Sequence, residues 1–285
     1  MGPIPNPQKN RNKKINFIKQ NKTQTKHKKN IIKRNINKTM KTGHKEYRIF
    51  SNLNIKNESE YKNKLEIWRK DKTYIEKRID LYIFPLSLEK NMNKNFGLKF
   101  RNVSIKNDNF SAKKLELKIR KDRLKEGIEI WSKIIKEKFE PFNILTVINN
   151  SDISDNKIIV NLNGISYSLN LIKVLETIKT ILSSYNTNEV LNYSKSFDNF
   201  PLGFVFTFKN RSAENYYEED VMIKSCYFEV NEKENAKLEA KLCFRRSLCV
   251  ENEVEKNFIE NLNNELKEYT VAGYPEELLN LFSKI

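Results

Sequence analysis

The regular alternation of apolar and charged residues is the feature that most limits what this chain can fold into. In LELKIR (115–120), three aliphatic residues alternate with a glutamate, a lysine and an arginine. Successive side chains of a β-strand point to opposite faces of the sheet, so this stretch predicts a strand with one apolar and one charged face. A strand at a protein surface exposes such a face to water, and one stretch alone does not exclude a charged face that points inward.

Five further stretches carry a face of this kind, with charged residues at two-residue spacing and at least one base each. They are EYRIF (46–50), RIDLYIF (78–84), GLKFR (97–101), FVFTFKNR (204–211) and AKLEAKLCFRRSLCVE (236–251). These faces belong either to a solvated sheet or to the interior of a closed barrel. Charges inside a barrel are unfavourable unless they are satisfied. A polyanion on the bases, with a divalent cation on the acids, would satisfy them.

The order of strands and helices predicts an α+β fold. There are about eight strand candidates and few strand–helix–strand alternations, so we expect an eight-stranded antiparallel β-barrel, or tunnel, with helices packed outside. Apolar periodicity predicts helices over residues 58–70, 124–139, 169–184, 253–269 and 275–284. Trp68 and Trp131 lie on the apolar faces of the first two. Residues 157–171 predict a hairpin with Asn163-Gly164 as a type I′ turn.

Most of the net positive charge belongs to the N-terminal segment. Residues 1–45 contain 14 of the 53 Lys and Arg residues and none of the 36 Asp and Glu residues. We therefore expect a disordered basic tail over residues 1–45, followed by one folded domain over residues 46–285. Such a tail would attract RNA or an anionic membrane. An organelle presequence and compositional drift are the alternatives.

The residue types available for chemistry are limited. His27 and His44 both precede the expected folded domain, which argues against a catalytic triad, a Cys-His pair or a His-ligated zinc site. Cys226, Cys243 and Cys249 lack metal-ligand spacing and fit a reduced intracellular protein, in cytoplasm, nucleus or mitochondrion. No apolar run approaches the roughly 18 residues of a membrane span. Carboxylates, Lys, Arg, Tyr and a hard metal ion remain.

In order and spacing, the charged stretches resemble the CYTH or triphosphate-tunnel metalloenzyme family. Its first strand reads Glu-x-Glu-x-Lys, and later strands alternate Lys or Arg with Glu. The similar stretches extend to YFEV, RSLCVE and GYPEELL and span residues 46–282. The resemblance implies an eight-stranded antiparallel tunnel that binds a triphosphate together with Mg²⁺ or Mn²⁺ and hydrolyses it. The substrate would be inorganic triphosphate, a nucleotide or the 5′-triphosphate end of RNA.

The resemblance also implies three groups of site residues. The phosphate-binding bases would be Arg48, Lys99, Arg101, Lys118, Arg120, Lys209, Arg211 and Arg245. The metal-binding acids would be Glu46, Glu229, Glu239 and Glu251. Glu116 would serve catalysis by binding metal or orienting water. Its alternative role is an internal ion pair with Lys118 or Arg120.

The first strand departs from the family pattern. EYRIF places Glu46, Arg48 and Phe50 where the family has two glutamates and a lysine, which weakens the expected metal site. A catalytically silent module that binds a polyanion or RNA is therefore the alternative to an enzyme, and it could be a subunit of a ribonucleoprotein assembly.

Overall fold

The computed structural model describes residues 43–51, 75–149, 158–214, 217–231, 238–251 and 269–282. From His44 onwards they belong to one compact unit, His44–Ile285. The tail predicted at residues 1–45 lies outside the described residues except for its last three. The predicted helix over residues 58–70, with Trp68, lies outside them as well. His44, which was expected to precede the folded domain, is the first residue of a strand, so that expectation was wrong.

The described residues form thirteen strands and few helices. The strands are β1 (His44–Ser51), β2 (Ile75–Pro85), β3 (Phe96–Arg101), β4 (Ser104–Lys106), β5 (Asn109–Arg123), β6 (Glu129–Val147), β7 (Ile158–Leu162), β8 (Ile165–Leu169), β9 (Leu202–Glu214), β10 (Tyr217–Val230), β11 (Leu238–Glu239), β12 (Lys241–Glu251) and β13 (Tyr269–Val271). The helices are α1 (Lys90–Asn93), α2 (Leu171–Ser183), α3 (Asn188–Lys195), a 3₁₀ turn (Ser196–Asp198) and α4 (Tyr274–Phe282).

All these strands join one sheet. Neighbours follow the order β11-β7-β8-β6-β1-β12-β10-β9-β2-β3-β5-β4, with β13 beside β1. The pairs are antiparallel except for β7 with β11. Strand β5 pairs with β6 as well as with β3 and β4. An α+β fold dominated by an antiparallel sheet is thereby confirmed, and the eight-stranded barrel stays a prediction.

The amphipathic strands have two faces, and both are largely buried. In β3, Leu98 and Phe100 are fully buried on the apolar face. Lys99 lies on the other face, where the strand register sets it opposite Glu116 of LELKIR. Glu116 is 0% exposed. The charged face of LELKIR therefore does not simply meet water.

The helices cover different faces of the sheet. Tyr193 of α3 stacks on Phe96, on the apolar side of β3, with ring centroids 4.0 Å apart. Helix α4 instead packs with Tyr82, Phe84 and Val205 in one buried apolar cluster, and Tyr82 shares its face with the charged residues of β2. No helix in the described part of the chain is long and apolar enough to cross a membrane.

The helix predicted over residues 124–139 was wrong, because most of this segment is strand β6. Ile128, Trp131 and Ile135 are buried and have helix-like spacing. These residues do not share a face, because β6 has a β-bulge: Leu117 pairs with Ile135, whereas Lys118 pairs with Lys133, so β6 carries an extra residue between them. Trp131, opposite Arg120, therefore lies on the other face from Ile135. Trp131 consequently packs within the sheet and not on a helix outside it.

Other predicted elements are confirmed. The hairpin joins β7 and β8, and Asn163 and Gly164 have the positive φ angles of 50° and 81° that a type I′ turn requires. Helix α2 buries Val174, Ile178 and Leu182, and α4 includes Pro275 in its first turn. The helix predicted over residues 253–269 lies outside the described residues except for Tyr269, which belongs to β13.

The turn between β5 and β6 gives a test of this correction. Gly127 has a φ of +85°, and a Cβ added there would lie 2.6 Å from Val271 Cγ1. Gly127→Ala should therefore lower the free energy of unfolding by about 2–3 kcal/mol, from left-handed strain and overpacking. Gly164→Ala is the matched control, because it has a similar φ and open space and should lose only about 1 kcal/mol. Urea denaturation measures both. A more stable Gly127→Ala variant would instead support a helix.

Candidate functional site

The buried carboxylate of Asp80 organises the charged face of β2. Its Oδ2 atom lies 3.2 Å from Arg78 Nε, 3.1 Å from Lys99 Nζ and 3.7 Å from Lys209 Nζ. The bases come from β2, β3 and β9, which are neighbouring strands. Asp80 is 0% exposed and the side chain of Lys209 only 1%. One carboxylate thus holds three bases away from bulk water.

A second buried carboxylate, Glu116 of β5, continues this network. Its Oε2 atom lies 3.0 Å from Arg101 Nη1 and 3.7 Å from Lys133 Nζ. Its Oε1 atom lies 3.8 Å from Lys99 Nζ, so Lys99 is shared with Asp80. Among the described side chains, the ion pairs of Glu116 are with these three bases. The expected pair with Lys118 or Arg120 is replaced by contacts with β3 and β6.

A third carboxylate, Glu46, connects β1 with β5 and β12. Glu46 Oε1 accepts a hydrogen bond of 3.1 Å from Arg48 Nε, and its Oε2 atom lies 3.4 Å from Lys118 Nζ. Arg48 Nη1 donates to Ser247 Oγ at 2.9 Å. Lys118 reaches Glu46 although β6 lies between β5 and β1 in the strand order. The charged side chains of these strands therefore converge on one region.

All three carboxylates are held in the ionised state. Burial would raise the pKa of each, but the adjacent bases outweigh it, so the pKa values of Asp80 and Glu46 lie well below the usual range. For Glu116, burial is outweighed chiefly by Lys99 and Arg101, and its pKa falls to about 2. Lys118 shows the reciprocal effect: burial would lower its pKa, but Glu46 raises it.

Bases outnumber acids in this region, which we call the charged cluster. Among the described side chains, a fourth acid, Glu76, lies 3.6 Å from Arg78. Seven described bases lie within 3.8 Å of the three carboxylates: Arg48, Arg78, Lys99, Arg101, Lys118, Lys133 and Lys209. An excess of positive charge in a largely buried region favours an anion, because opposite charges attract strongly where water is excluded. The cluster can thus supply several charge-assisted hydrogen bonds to phosphate oxygens.

Two tyrosine rings border the charged cluster. Lys209 Nζ lies 3.4 Å from the ring centroid of Tyr274, and Arg48 Cζ lies 4.3 Å from it. Lys99 Nζ donates to the Tyr82 hydroxyl at 3.2 Å. Burial raises the pKa of Tyr82, so it stays a neutral phenol. Cation–π contacts stabilise the bases without neutralising their charge.

Arg120 belongs to a separate network that holds α4 in place. Its Nε and Nη2 atoms both donate to Asn95 Oδ1, at 3.0 and 2.7 Å. Its Nη1 atom contacts Glu129 and lies 3.3 Å from Glu276 Oε2. Trp131 Nε1 donates to the other oxygen of Glu129 at 2.9 Å. The guanidinium is therefore engaged by groups of the protein, and its predicted phosphate contact would have to displace them.

His44, Glu46 and Glu251 form a group that could hold a metal ion. One ligand atom from each lies within 4.8 Å of the others, and His44 Nε2 is 3.1 Å from Glu251 Oε2. Burial would raise the pKa of Glu251, but the hydrogen bond from His44 and the charge of Lys118 lower it. Both carboxylates are therefore ionised at neutral pH. Two carboxylates and an imidazole are a donor set that fits a divalent cation such as Mn²⁺.

The remaining predicted site residues are not joined to the charged cluster by described contacts. The side chains of Arg211, Arg245 and Glu239 lie outside the described set. Glu239 belongs to β11, which pairs with β7 at the far end of the sheet path. Glu229 pairs with Gly203, about 20 Å along β10 from Ile223, the partner of Lys209. Their predicted roles stay predictions.

Several residues of the charged cluster and the metal-binding group were not predicted as site residues from the sequence. Arg78 and Asp80 share a face of RIDLYIF, and that alternation was the available signal. Glu129 and Lys133 were hidden because their segment was interpreted as a helix. His44 was assigned to the tail, although it continues the alternation of Glu46 and Arg48 by two residues.

Comparisons with known proteins do not assign the chain to a family. No family model matches the chain, and no curated protein sequence matches it. Among solved structures, a Hippeastrum protein described as an adenylyl cyclase with a dominant triphosphatase activity is similar at 9% identity and a TM-score of 0.32. The match covers 81% of this chain and 91% of that one. A TM-score this low does not establish a shared fold.

Asp80 gives a prediction about stability. Asp80→Asn leaves three bases without their common counter-charge, so the free energy of unfolding should fall by about 3–5 kcal/mol at low salt. Asp198→Asn is the matched control, because its partner Lys179 is a surface residue, and this variant should lose less than about 1 kcal/mol. Urea denaturation measures the two losses. Equal losses would contradict the organising role of Asp80.

Glu116 gives a prediction about pH. Its pKa is 4.5 in the reference state and about 2 in the folded protein. Its stabilising contribution, on the order of 3 kcal/mol, is therefore present above pH 4.5 and lost as the pH falls towards 2. The difference in unfolding free energy between wild type and Glu116→Gln should shrink over that window. The same difference at pH 6 and pH 3 would mean that the carboxylate is not held ionised.

Proposed function

We propose that the charged cluster binds the phosphates of a triphosphate. The observation that supports this proposal best is the excess of bases over carboxylates among the described side chains, in a region where Asp80, Glu116 and Lys209 are almost inaccessible to water. A solvated surface would not need such burial. A triphosphate presents several closely spaced anionic oxygens, which match bases that lie side by side on neighbouring strands.

We also propose that the cluster lies inside a tunnel. Eight strands pair in succession, from β6 through β1, β12, β10, β9, β2 and β3 to β5, and β5 pairs with β6. The ion pair between Lys118 and Glu46 supports this arrangement, because it joins β5 to β1 across the intervening strand β6. In a closed barrel, one face of every strand points inward, which would explain why the charged face is buried.

His44, Glu46 and Glu251 would hold a divalent metal ion, Mn²⁺ or Mg²⁺. Because β1 starts at His44, its charged face reads His44-x-Glu46-x-Arg48. The triphosphate-tunnel family has Glu-x-Glu-x-Lys on its first strand. An alignment that starts at His44 puts a histidine at the first glutamate, Glu46 at the second and Arg48 at the lysine. This alignment fits the family pattern better than one that starts at Glu46. A bound ion would neutralise phosphoryl oxygens and help to position water. The imidazole nitrogen favours Mn²⁺ over Mg²⁺, which prefers oxygen ligands.

The protein side chains would divide the remaining tasks. Lys99, Lys209 and Arg101 would hold phosphate oxygens, and Asp80 would keep the two lysines in place. Glu116 has a pKa of about 2, which makes it a weak base at neutral pH. It would therefore orient Arg101 and Lys133, or a water molecule, and would not remove a proton from water. The reaction would be hydrolysis of the triphosphate.

A catalytically silent binding module is the second candidate. It is favoured by the competition for Glu46, whose two oxygens already contact Arg48 and Lys118. A metal ion must share that carboxylate with both bases. If Arg48 and Lys118 keep Glu46 from binding a metal ion, the cluster should bind phosphate without hydrolysing it.

One experiment separates the two candidates. The full chain is incubated with tripolyphosphate and Mn²⁺, Mg²⁺ or EDTA, and phosphate release is measured beside binding by calorimetry. The enzyme proposal predicts release that EDTA abolishes. Binding without release supports the silent module. Absence of binding rejects both.

Bases of the charged cluster should contribute to the affinity for tripolyphosphate, and bases outside it should not. Lys99→Ala and Lys209→Ala should each weaken tripolyphosphate binding by about 1.5–3 kcal/mol, the range for a hydrogen bond to a charged group. Arg120→Ala should mainly reduce thermal stability, because its donors serve Asn95 and the two acids. Lys173→Ala, at an exposed position on α2, is the control and should change neither quantity. Wild-type affinity in Lys99→Ala and Lys209→Ala would refute the site.

A further inference from the structure

We propose that a row of lysines on β5 and β6 binds the backbone phosphates of a polynucleotide whose 5′-triphosphate lies in the charged cluster. The row consists of Lys114, Lys133, Lys136 and Lys138, and we call it the basic strip. The inference rests on the proposed function, because it assigns that triphosphate to the end of a nucleic-acid chain.

The strand register places the basic strip on the same face as the charged cluster. Lys114 pairs with Lys138, Glu116 with Lys136, and Lys118 with Lys133. Residues directly opposite in antiparallel strands project from the same face, with Cβ atoms about 4.5–5.5 Å apart. The strip is therefore a continuation of the cluster along the two longest strands described, which have 15 and 19 residues.

Side-chain exposure increases from the cluster to the strip. The side chain of Lys209 is 1% exposed, that of Arg101 25% and that of Lys133 39%. Lys136 and Lys138 are exposed on the outer part of β6. The strip thus leads from the buried bases to solvent. A chain that enters the cluster by its terminal phosphates would run along it.

The bases of the strip repel one another. Burial lowers the pKa of Lys114, and Lys136, Arg101 and Lys133 lower it further. Burial also lowers the pKa of Lys133, against the opposing effect of Glu116, and Lys118, Arg101 and Lys136 add to the lowering. Like charges that depress one another's pKa are stabilised by a bound anion.

Among the residues that the structure describes, few acids face the strip. Glu116 lies beside it but already contacts Lys99, Arg101 and Lys133. Glu140 follows Lys138 by two residues, where the pairing of β5 with β6 shifts its register, and is exposed. Glu137 is opposite Leu115 on the other face, where it accepts a hydrogen bond from the Tyr185 hydroxyl. The strip therefore keeps a net positive charge.

The spacing of the strip favours a nucleic acid over inorganic polyphosphate. Residues two apart in a strand are about 7 Å apart along the chain. Adjacent phosphorus atoms share one oxygen in polyphosphate, whereas a whole sugar separates them in a polynucleotide. The strip offers only lysines, with no aromatic side chain or amide among its members, so binding should depend on phosphates and not on base sequence.

The test compares two double variants of the full chain. Lys136→Ala with Lys138→Ala removes the outer half of the strip. Lys125→Ala with Lys173→Ala removes two exposed lysines elsewhere and matches the change in charge. Affinities are measured for tripolyphosphate, a short single-stranded RNA with a 5′-triphosphate, the same RNA with a 5′-hydroxyl, and long-chain polyphosphate.

We expect the strip variant to bind 5′-triphosphate RNA about tenfold more weakly than wild type, with a salt dependence reduced by about two phosphate contacts. Its affinity for tripolyphosphate should be unchanged, and the control variant should match wild type throughout. Wild type should bind the 5′-hydroxyl RNA more weakly than the 5′-triphosphate RNA.

The contrary outcomes are distinct. Unchanged RNA affinity in the strip variant, with intact tripolyphosphate binding, overturns the strip and leaves the proposed function standing. An equal loss for long-chain polyphosphate overturns the assignment to a polynucleotide. If wild type binds the 5′-triphosphate RNA and the 5′-hydroxyl RNA equally well, the proposal that the cluster holds the terminal triphosphate of a chain on the strip is overturned. Failure of wild type to bind tripolyphosphate overturns the proposed function, and the inference with it.

Discussion

The ion pairs of Asp80 and Glu116 with Lys99 are the interactions on which the charged face of the sheet depends. Each carboxylate is 0% exposed, and each contacts three bases, one of which they share. Without these acids, the bases of β2, β3 and β9 would repel one another in a region that water barely reaches. A removed partner in a buried ion pair leaves an uncompensated charge, which is far less favourable than the intact pair.

The arrangement stabilises the fold although the described bases of the charged cluster outnumber its described acids. Tyr274 illustrates the balance. Its ring lies 3.4 Å from Lys209 Nζ, and a ring attracts a cation without cancelling its charge. Lys209 also lies 3.7 Å from Asp80, a carboxylate that it shares with Arg78 and Lys99. Arg120 shows the opposite case, because Glu129 and Glu276 both contact it and Asn95 accepts two of its hydrogen bonds. Bases in one sheet thus differ in their surroundings: Lys209 lies against an aromatic ring, whereas Arg120 contacts two acids and attaches α4.

Much of the fold could be predicted from the sequence, because alternation is a local signal that neighbouring residues carry. It located β1, β2, β3, β5 and β9, and Asn163-Gly164 located the β7–β8 turn. The signal failed at β6, where a bulge between Lys133 and Ile135 interrupts the alternation, so that Trp131 and Ile135 lie on opposite faces although they are four residues apart. A bulge depends on the pairing with β5, which no single stretch of sequence reveals.

The candidate site was predictable only in part, for a similar reason. Glu46, Lys99, Lys118 and Lys209 were recognised because they alternate within their strands. The shared role of Asp80 depends on bases from three strands, and that of His44 depends on the register of β1 against Glu251 of β12. Such convergence is a property of the tertiary structure.

The most direct test of the central claim is the melting temperature of the full chain with and without tripolyphosphate. A ligand that binds only the folded state raises the melting temperature with its concentration, whereas equal binding to folded and unfolded chains does not. If the charged cluster binds phosphate, tripolyphosphate should raise the melting temperature well above the value in sodium chloride of equal ionic strength. Equal melting temperatures in the two salts would show that the excess bases only need screening, and would contradict a phosphate-binding site.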